Sequence, residues 1–286
     1  MGEAAELERA RTLLFERRSR RPRPGLDDKV LTEWNSHWVA ALAEAGVALG
    51  RPDWIEAAEA TASFLLASLR RDDGRWMRSW QVDAGARHLA FAGDHAALVD
   101  AFTRLGEATG RRRWFDAATD TADAMLTLFW DTTNGGLFTT GSDGERLVTR
   151  DKDIQDGAIP SANSTAALAL LRLHALTGDG YLRDRAEDIL RLVGPLAREA
   201  PAGFGVLLAA LDLHHRGTTE IVVAGDRPDL LEVIRERHLP SAVVAWGERF
   251  DSPLWEGRVD GAAYVCRGHT CELPARDAET LRGQLA

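Results

Sequence analysis

The chain is 286 residues long, 45% hydrophobic and carries a formal net charge of -9. That is enough apolar surface for a sizeable core. The acidic balance argues against nucleic acid as a main partner, because the overall field repels phosphate.

The N-terminus is polar and charged, without a signal-peptide pattern, and no apolar stretch is long enough to span a bilayer. A membrane partner is not expected, and the cytoplasm is the expected address. Residues 1–26 contain the one basic run, Arg17, Arg18, Arg20, Arg21 and Arg23. It lies beside Pro22 and Pro24 with no interleaved aromatics, so it reads as a solvated entry segment rather than a nucleic-acid arm.

From residue 27 to 217 the sequence repeats a pattern. An Ala/Leu-rich helix ends at glycine, a short turn carrying an aromatic follows, and a second amphipathic helix begins. WVAALAEAGVALG precedes RPDWIEAAEATASFLLASL, AALVDAFTRLGEATG precedes RRRWFDAATDTADAMLTLFW, and TAALALLRLHALTG precedes DGYLRDRAEDILRLVGPLA. The glycines Gly50, Gly110 and Gly178 suit helix ends, where a left-handed residue without a Cβ is favoured. Trp54, Trp114 and Tyr181 are expected to pack the hairpin corners. A further helix is expected around GFGVLLAALDLHH. The connections RDDGRWMRSW and DTTNGGLFTTGSDGERLVT carry turn residues beside β-prone runs, which predicts short β-hairpins gathered at one end of the assembly.

Residues 218–286 change character. EIVVA and SAVVAW read as strands flanking the helix RPDLLEVIRER, AAYVC as a third strand, and DAETLRGQL as a short terminal helix. The expected architecture is therefore mainly α: a partial α/α toroid of helical hairpins with a small C-terminal α/β subdomain.

In such a ring the N-termini of the inner helices surround a cavity and present unpaired N–H groups to oxygen-rich ligands. Three strings occupy those positions. LDDKVLTEWNSH offers Asp28, Lys29, Trp34 and Asn35 for stacking and hydrogen-bonding a sugar, although Asp28 equally reads as a helix cap and Trp34 as core. FAGDHAALVD places Asp94 and His95 side by side, a candidate proton-transfer pair; Asp94 is equally an ordinary cap. DIQDGAIPSANS carries Asp156, Ser161 and Asn163 into an otherwise Ala/Leu helix, as pocket-lining groups or as caps. Asp94, His95 and Asp156 are the candidate catalytic groups; Asp28, Lys29, Trp34, Asn35, Ser161 and Asn163 are the candidate binding groups.

Two cysteines, Cys266 and Cys271, flank His269. Their spacing is neither a C-x-x-C redox motif nor a complete zinc set, so no metal and no disulfide framework is expected, and a redox pair is the lesser reading. Phosphate-binding, dinucleotide, zincin and hydrolase-elbow motifs are missing. No cofactor is expected.

The strings RRPRPGLDDKVLTEWNSHWVAALAEAG, DGAIPSANSTAALALLRL and AAYVCRGHTCELP, in this order, resemble the C-terminal half of the thioredoxin-domain-containing proteins related to spermatogenesis-associated protein 20. The resemblance implies a toroid like that of N-acylglucosamine 2-epimerases and six-hairpin glycosidases, preceded by a thioredoxin-like domain. Only three hairpins and no thioredoxin-like segment are legible, so a truncated or split member is expected. Departures from the pattern are Ser36 and Ala162 in place of glycines and His95 in place of a tyrosine. The implied function is a carbohydrate-active or carbohydrate-binding domain of epimerase, isomerase or glycosidase type. The alternative is a non-catalytic module whose open edge is covered by a thioredoxin-like partner or by self-association.

Overall fold

A computed structural model describes residues 2–268 and 270–286; His269 lies outside them. In chain order the elements are α1 (Glu3–Ser19), β1 (Val30–Leu31), α2 (Thr32–Ala48), α3 (Pro52–Leu69), β2 (Met77–Gln81), β3 (Gly85–Leu89), α4 (Ala92–Thr109), α5 (Arg112–Phe129), α6 (Ala162–Thr177), α7 (Gly180–Glu199) and α8 (Gly205–Arg216). The α/β part follows as β4 (Thr219–Ala224), α9 (Pro228–Arg235), β5 (Ala242–Ala245), β6 (Ala262–Arg267), β7 (Thr270–Cys271) and α10 (Ala278–Gln284).

The entry segment is helical over α1, yet that helix buries no residue. Leu7, Leu13, Leu14 and Phe15 along it stay exposed.

The core is an arc of helices. α2, α4, α6 and α8 lie side by side, and α3, α5 and α7 pack outside α2, α4 and α6 as their hairpin partners. The sequence explains the two layers. α4 and α6 are buried along most of their length by Ala, Leu, Val and Phe, as a helix with neighbours on several sides must be. α5 and α7 bury one stripe, Phe115, Ala118, Ala122, Met125 and Phe129 in α5 and Leu182, Ala186, Ile189 and Val193 in α7, and expose the rest. This is a partial α/α toroid, mainly helical, with small sheets.

Gly50, Gly110 and Gly178 end the inner helices with φ of 60°, 64° and 76°, the left-handed geometry that closes a helix at glycine. Gly110 has a second duty. The Trp246 ring packs so closely that a Cβ there would stand 2.8 Å from it. Of the corner aromatics, Trp114 is fully buried and Tyr181 is half exposed.

The first connection forms the hairpin β2–β3, joined by β1 in an antiparallel sheet of order β1-β2-β3. In the second, among the described residues, the chain pairs only at the bridge between Trp130 and Leu137. There Asp131 accepts from the N–H groups of Thr133 and Asn134, so side-chain capping of a turn takes the place of a strand ladder. The two connections meet each other, as Arg75 Nε donates to Asp143 at 2.7 Å and Ala92 N–H donates to the Thr139 carbonyl at 3.1 Å. Both therefore collect at the N-terminal ends of the inner helices.

In the C-terminal part the sheet order is β5-β4-β6-β7, with β4 parallel to β5 and antiparallel to β6. One face packs on α9 and α10 through Ile221, Val223, Leu230 and Leu281. The other meets the helical arc through Phe115, Ala175 and Leu176. Trp246 Nε1 donates to the Glu107 carbonyl at 2.6 Å, and Glu107 Oε1 accepts from Val244 N–H at 2.9 Å. Although the spacing implies no disulfide framework, Cys266 and Cys271 form a disulfide across β6–β7. The register of the two strands sets the two residues directly opposite one another.

Candidate functional site

The first turns of α2 and α4 meet at one end of the arc. Asp94, fully buried at the third position of α4, accepts from Phe91 N–H at 2.7 Å, Glu33 N–H at 3.0 Å and Arg78 Nη1 at 2.9 Å. It thus caps its own helix, holds the start of α2 and pairs with a cation from β2. Arg78 also stacks over the Phe91 ring at 4.5 Å.

Glu33 stands beside this arrangement with its side chain 15% exposed, and its nearest cation contact is Arg78 Nη2 at 3.9 Å. Both oxygens of Asp94 are engaged, whereas among the described residues the Glu33 carboxylate has this loose pairing alone. Burial pushes the Glu33 carboxyl above the usual carboxylate range, Asp94 adds to the rise, Arg78 opposes it and Asp153 adds again. Burial also raises Asp94, against which Arg78 and the N–H groups of Phe91 and Glu33 pull down. Gly93 makes the space: a Cβ there would lie 2.7 Å from Glu33 Oε1. The result is a shielded carboxyl next to a guanidinium, with the 57%-exposed indole of Trp34 one residue on. A shielded carboxyl with a raised pKa is a candidate proton-transfer group.

The other sequence candidates are placed as follows. His95 is fully buried, with Nδ1 2.9 Å from the Phe91 carbonyl and Nε2 3.4 Å from Arg75 Nη1. Nδ1 therefore carries the proton and Nε2 accepts from Arg75. Burial lowers its pKa to about 4, so the ring is neutral at pH 7. Asp156 accepts from Ser161 N–H at 3.0 Å and from Val206 N–H at 2.8 Å, tying the starts of α6 and α8 together. Ser161 caps α6 through Ser164 N–H. Asn163 is buried, accepting from Leu137 N–H at 2.7 Å and donating to the carbonyls of Leu137 and Asp153.

Asp28 accepts from Gln81 at 2.7 Å, Lys29 pairs with Asp27 at 2.9 Å, and Asn35 donates to the Leu31 carbonyl at 2.8 Å. The structure brings Trp34 and Asp94 together at the ends of α2 and α4, with Asp156 and Asn163 at the start of α6. Glu33, Arg78 and Asp153 were not singled out from the sequence. The signal for Glu33 was its position in the first turn of an inner helix, next to Trp34; Arg78 lies in a hairpin whose register the sequence does not specify.

A cavity of about 610 Å³ lies at the opposite ends of the inner helices, between Val47, Ala108, Leu168 and Leu213 on the arc and Ile234 and Trp246 of the α/β part. It is distant from the carboxylate cluster, and its volume alone does not make it the site of chemistry.

Fold and site together define an α/α-toroid-type helical domain with a buried carboxylate–arginine cluster at its inner-helix ends. No family model matches the chain. Spermatogenesis-associated protein 20 of Homo sapiens is 31% identical over 309 residues, covering 97% of this chain and 39% of that protein. The Rattus norvegicus protein of the same name is 31% identical over 294 residues, covering 94% of this chain and 37% of its own. The chain is homologous to spermatogenesis-associated protein 20 and spans less than half of that protein's length. Among solved structures, cellobiose 2-epimerase from Bacillus thermoamylovorans B4167 aligns with a TM-score of 0.49 and 14% identity over 58% of this chain and 44% of that one. D-mannose isomerase aligns with a TM-score of 0.46 and 12% identity over 68% of this chain and 47% of that one. A likeness at these TM-scores is no basis for assigning either activity.

Proposed function

We propose that the chain is a carbohydrate-binding, proton-transferring domain in which Glu33 is the acid/base group and Trp34 offers the face on which a sugar ring stacks. The observation that carries this reading is the Glu33 carboxyl itself, shielded, raised by burial and loosely paired with Arg78, with the exposed Trp34 next to it in the first turn of α2. A carboxyl of raised pKa next to a cation suits proton transfer at a sugar carbon or a glycosidic oxygen, the step shared by epimerase, isomerase and glycosidase chemistry. In this reading Asp94, His95 and Asp156 are positioning groups, since each spends its polar atoms on backbone N–H or carbonyl groups or on an arginine.

The cytoplasmic address belongs to this reading; among the described residues no helix is long and apolar enough to cross a membrane. The test is thermal melting of the chain against a panel of mono- and disaccharides, with Glu33→Gln and Trp34→Ala alongside. Ligand that binds the native state raises the midpoint. A sugar-specific rise that both variants lose supports the site; no rise with any sugar counts against it.

A second reading rests on a different observation. Trp34 and Trp38, one turn apart on α2, are 57% and 58% exposed, and α1 buries none of its residues. Exposed apolar groups of this kind mark interaction surfaces, so a non-catalytic module whose edge is covered by a thioredoxin-like partner or a second copy is the alternative. Concentration-dependent mass by light scattering, abolished in Trp38→Ala, distinguishes self-association.

A further inference from the structure

Across β6 and β7, Arg267 pairs with Thr270 and Cys266 pairs with Cys271, so the disulfide links a facing pair of the two strands. Val265 and Glu272, the next pair, share the hydrogen bond from Glu272 N–H to the Val265 carbonyl at 2.9 Å. The cysteines therefore occupy a pair without backbone hydrogen bonds, where antiparallel strands bring side chains closest. The bond is redundant as a staple. β7 is already held by that ladder, and Ala263 and Ala275 exchange two further hydrogen bonds of 2.8 and 2.9 Å. The loop it closes is short, and short loops gain least from closure.

The surroundings are those of a reactive sulfur pair. Cys271 is exposed and Cys266 is buried. One guanidinium nitrogen, Arg258 Nη2, stands 3.3 Å from Sγ of both. Arg258 is fixed there by donating Nε to the Leu254 carbonyl at 3.1 Å and by stacking on Tyr264 at 4.6 Å. Glu220 of β4 lies opposite Cys266 in the strand register. A cation against sulfur stabilises thiolate, and an exposed disulfide is open to attack.

We propose that Cys266, Cys271 and Arg258 form a thiol–disulfide exchange site that takes electrons from a dithiol reductant. A thiolate of the dithiol attacks the exposed Sγ of Cys271, the Cys266–Cys271 bond breaks, and Cys266 leaves as a thiolate against Arg258. The second thiol of the reductant then attacks its own sulfur in the mixed disulfide, and Cys271 is released. Two electrons and two protons pass from the dithiol to the chain, and the reductant departs as a disulfide.

The experiment uses the full chain, dithiothreitol and its oxidised form, with thiols counted by alkylation and mass spectrometry. Native chain is expected to gain two alkylated cysteines in dithiothreitol and lose both in oxidised dithiothreitol, with the melting midpoint of Cys271→Ser close to that of the parent. In the reduced chain at pH 7, Arg258→Gln should slow alkylation of Cys271 about ten-fold, the change in thiolate fraction expected when a neighbouring cation worth about one pKa unit is removed; Arg258→Lys should restore most of the rate. Reduction only after unfolding in urea, failure of oxidised dithiothreitol to re-form the bond, or an Arg258→Gln rate equal to the parent's would each overturn the proposal.

Discussion

Asp94 Oδ1 accepts a hydrogen bond from the backbone N–H of Glu33 at 3.0 Å, although the two residues stand 61 apart in sequence. Through it the first turn of one inner helix is capped by a side chain of the next. The same carboxylate takes Arg78 and Phe91 on its other oxygen, so the Glu33 backbone, the α4 cap and the β2 cation share one buried charge.

Asp94→Ala is therefore expected to be severe. It leaves Arg78 without its closest partner and two N–H groups without an acceptor, and breaking a buried ion pair costs about 3–5 kcal/mol. Urea unfolding followed by circular dichroism measures it; a loss below about 1 kcal/mol would show that Asp94 is not holding the two helices together.

Gly93→Ala separates site from fold. The new methyl falls on Glu33 Oε1, the movable end of a side chain, while alanine in a helix is favoured over glycine by about 1 kcal/mol. Sugar binding should fall at least ten-fold with the melting midpoint unchanged or raised. Binding at the parent level, measured by calorimetry, would remove Glu33 from the site.

The pH dependence of stability should carry the signature of His95. Burial lowers its folded pKa to about 4, against 6.5 for an ordinary histidine, so between these values the unfolded chain binds the extra proton. The contribution is full above pH 6.5 and is lost as pH falls towards 4, at most about 3 kcal/mol. Glu33, Asp94 and Asp153 have raised folded values and act in the opposite sense, their contribution fading as pH rises. The difference in unfolding free energy between the parent chain and His95→Gln isolates the histidine, because the carboxyls titrate in both: that difference should rise with pH between 4 and 6.5 and be level above 6.5.

Asn163→Ala should unfold the second connection before the arc. Asn163 alone satisfies the buried Leu137 N–H by a side chain and also bonds the Leu137 and Asp153 carbonyls; leaving buried groups unpaired costs about 1–3 kcal/mol each. Faster proteolysis within residues 131–160, with the helices still protected from hydrogen exchange, is the expected pattern. Asn163→Asp keeps the acceptor for Leu137 N–H but sets a buried carboxylate oxygen against the Leu137 and Asp153 carbonyls, so it should be no milder.

The helical hairpins were legible because their cause is local. Ala/Leu periodicity makes α2 to α7, and glycines at 50, 110 and 178 end the inner helices in a conformation that L side chains resist. The strands EIVVA and AAYVC announced themselves in the same way, by β-branched and apolar runs that only a covered sheet accommodates. The candidate residues at the inner-helix starts were also chosen on local grounds, as polar groups ahead of apolar helices. What such reading could not supply was the partner of each one. Asp94 meets Glu33 and Arg78, Asp156 meets Val206, and Asn163 meets Leu137, all through packing of segments distant in sequence.

Glu33 shows the division most clearly. In the sequence it is an acidic residue in a helix's first turn, favourable to the dipole and otherwise ordinary. Its raised pKa comes first from burial as α4 approaches at Gly93, then from the charges of Asp94 and Asp153, which reach it from α4 and the loop before α6, while Arg78 of β2 opposes the rise. The cysteines obey the same rule: their spacing permits a turn, but the register of β6 on β7 is what sets Cys266 opposite Cys271 and places Arg258 over both sulfurs. Sequence by itself determined the helical hairpins and the strands of the C-terminal sheet, because those follow from short-range sterics and periodicity, but not the helix of the entry segment or the bridge-only second connection. Tertiary structure alone decided which carboxyl is desolvated and which sulfurs meet, because burial and charge proximity exist only once the segments have packed.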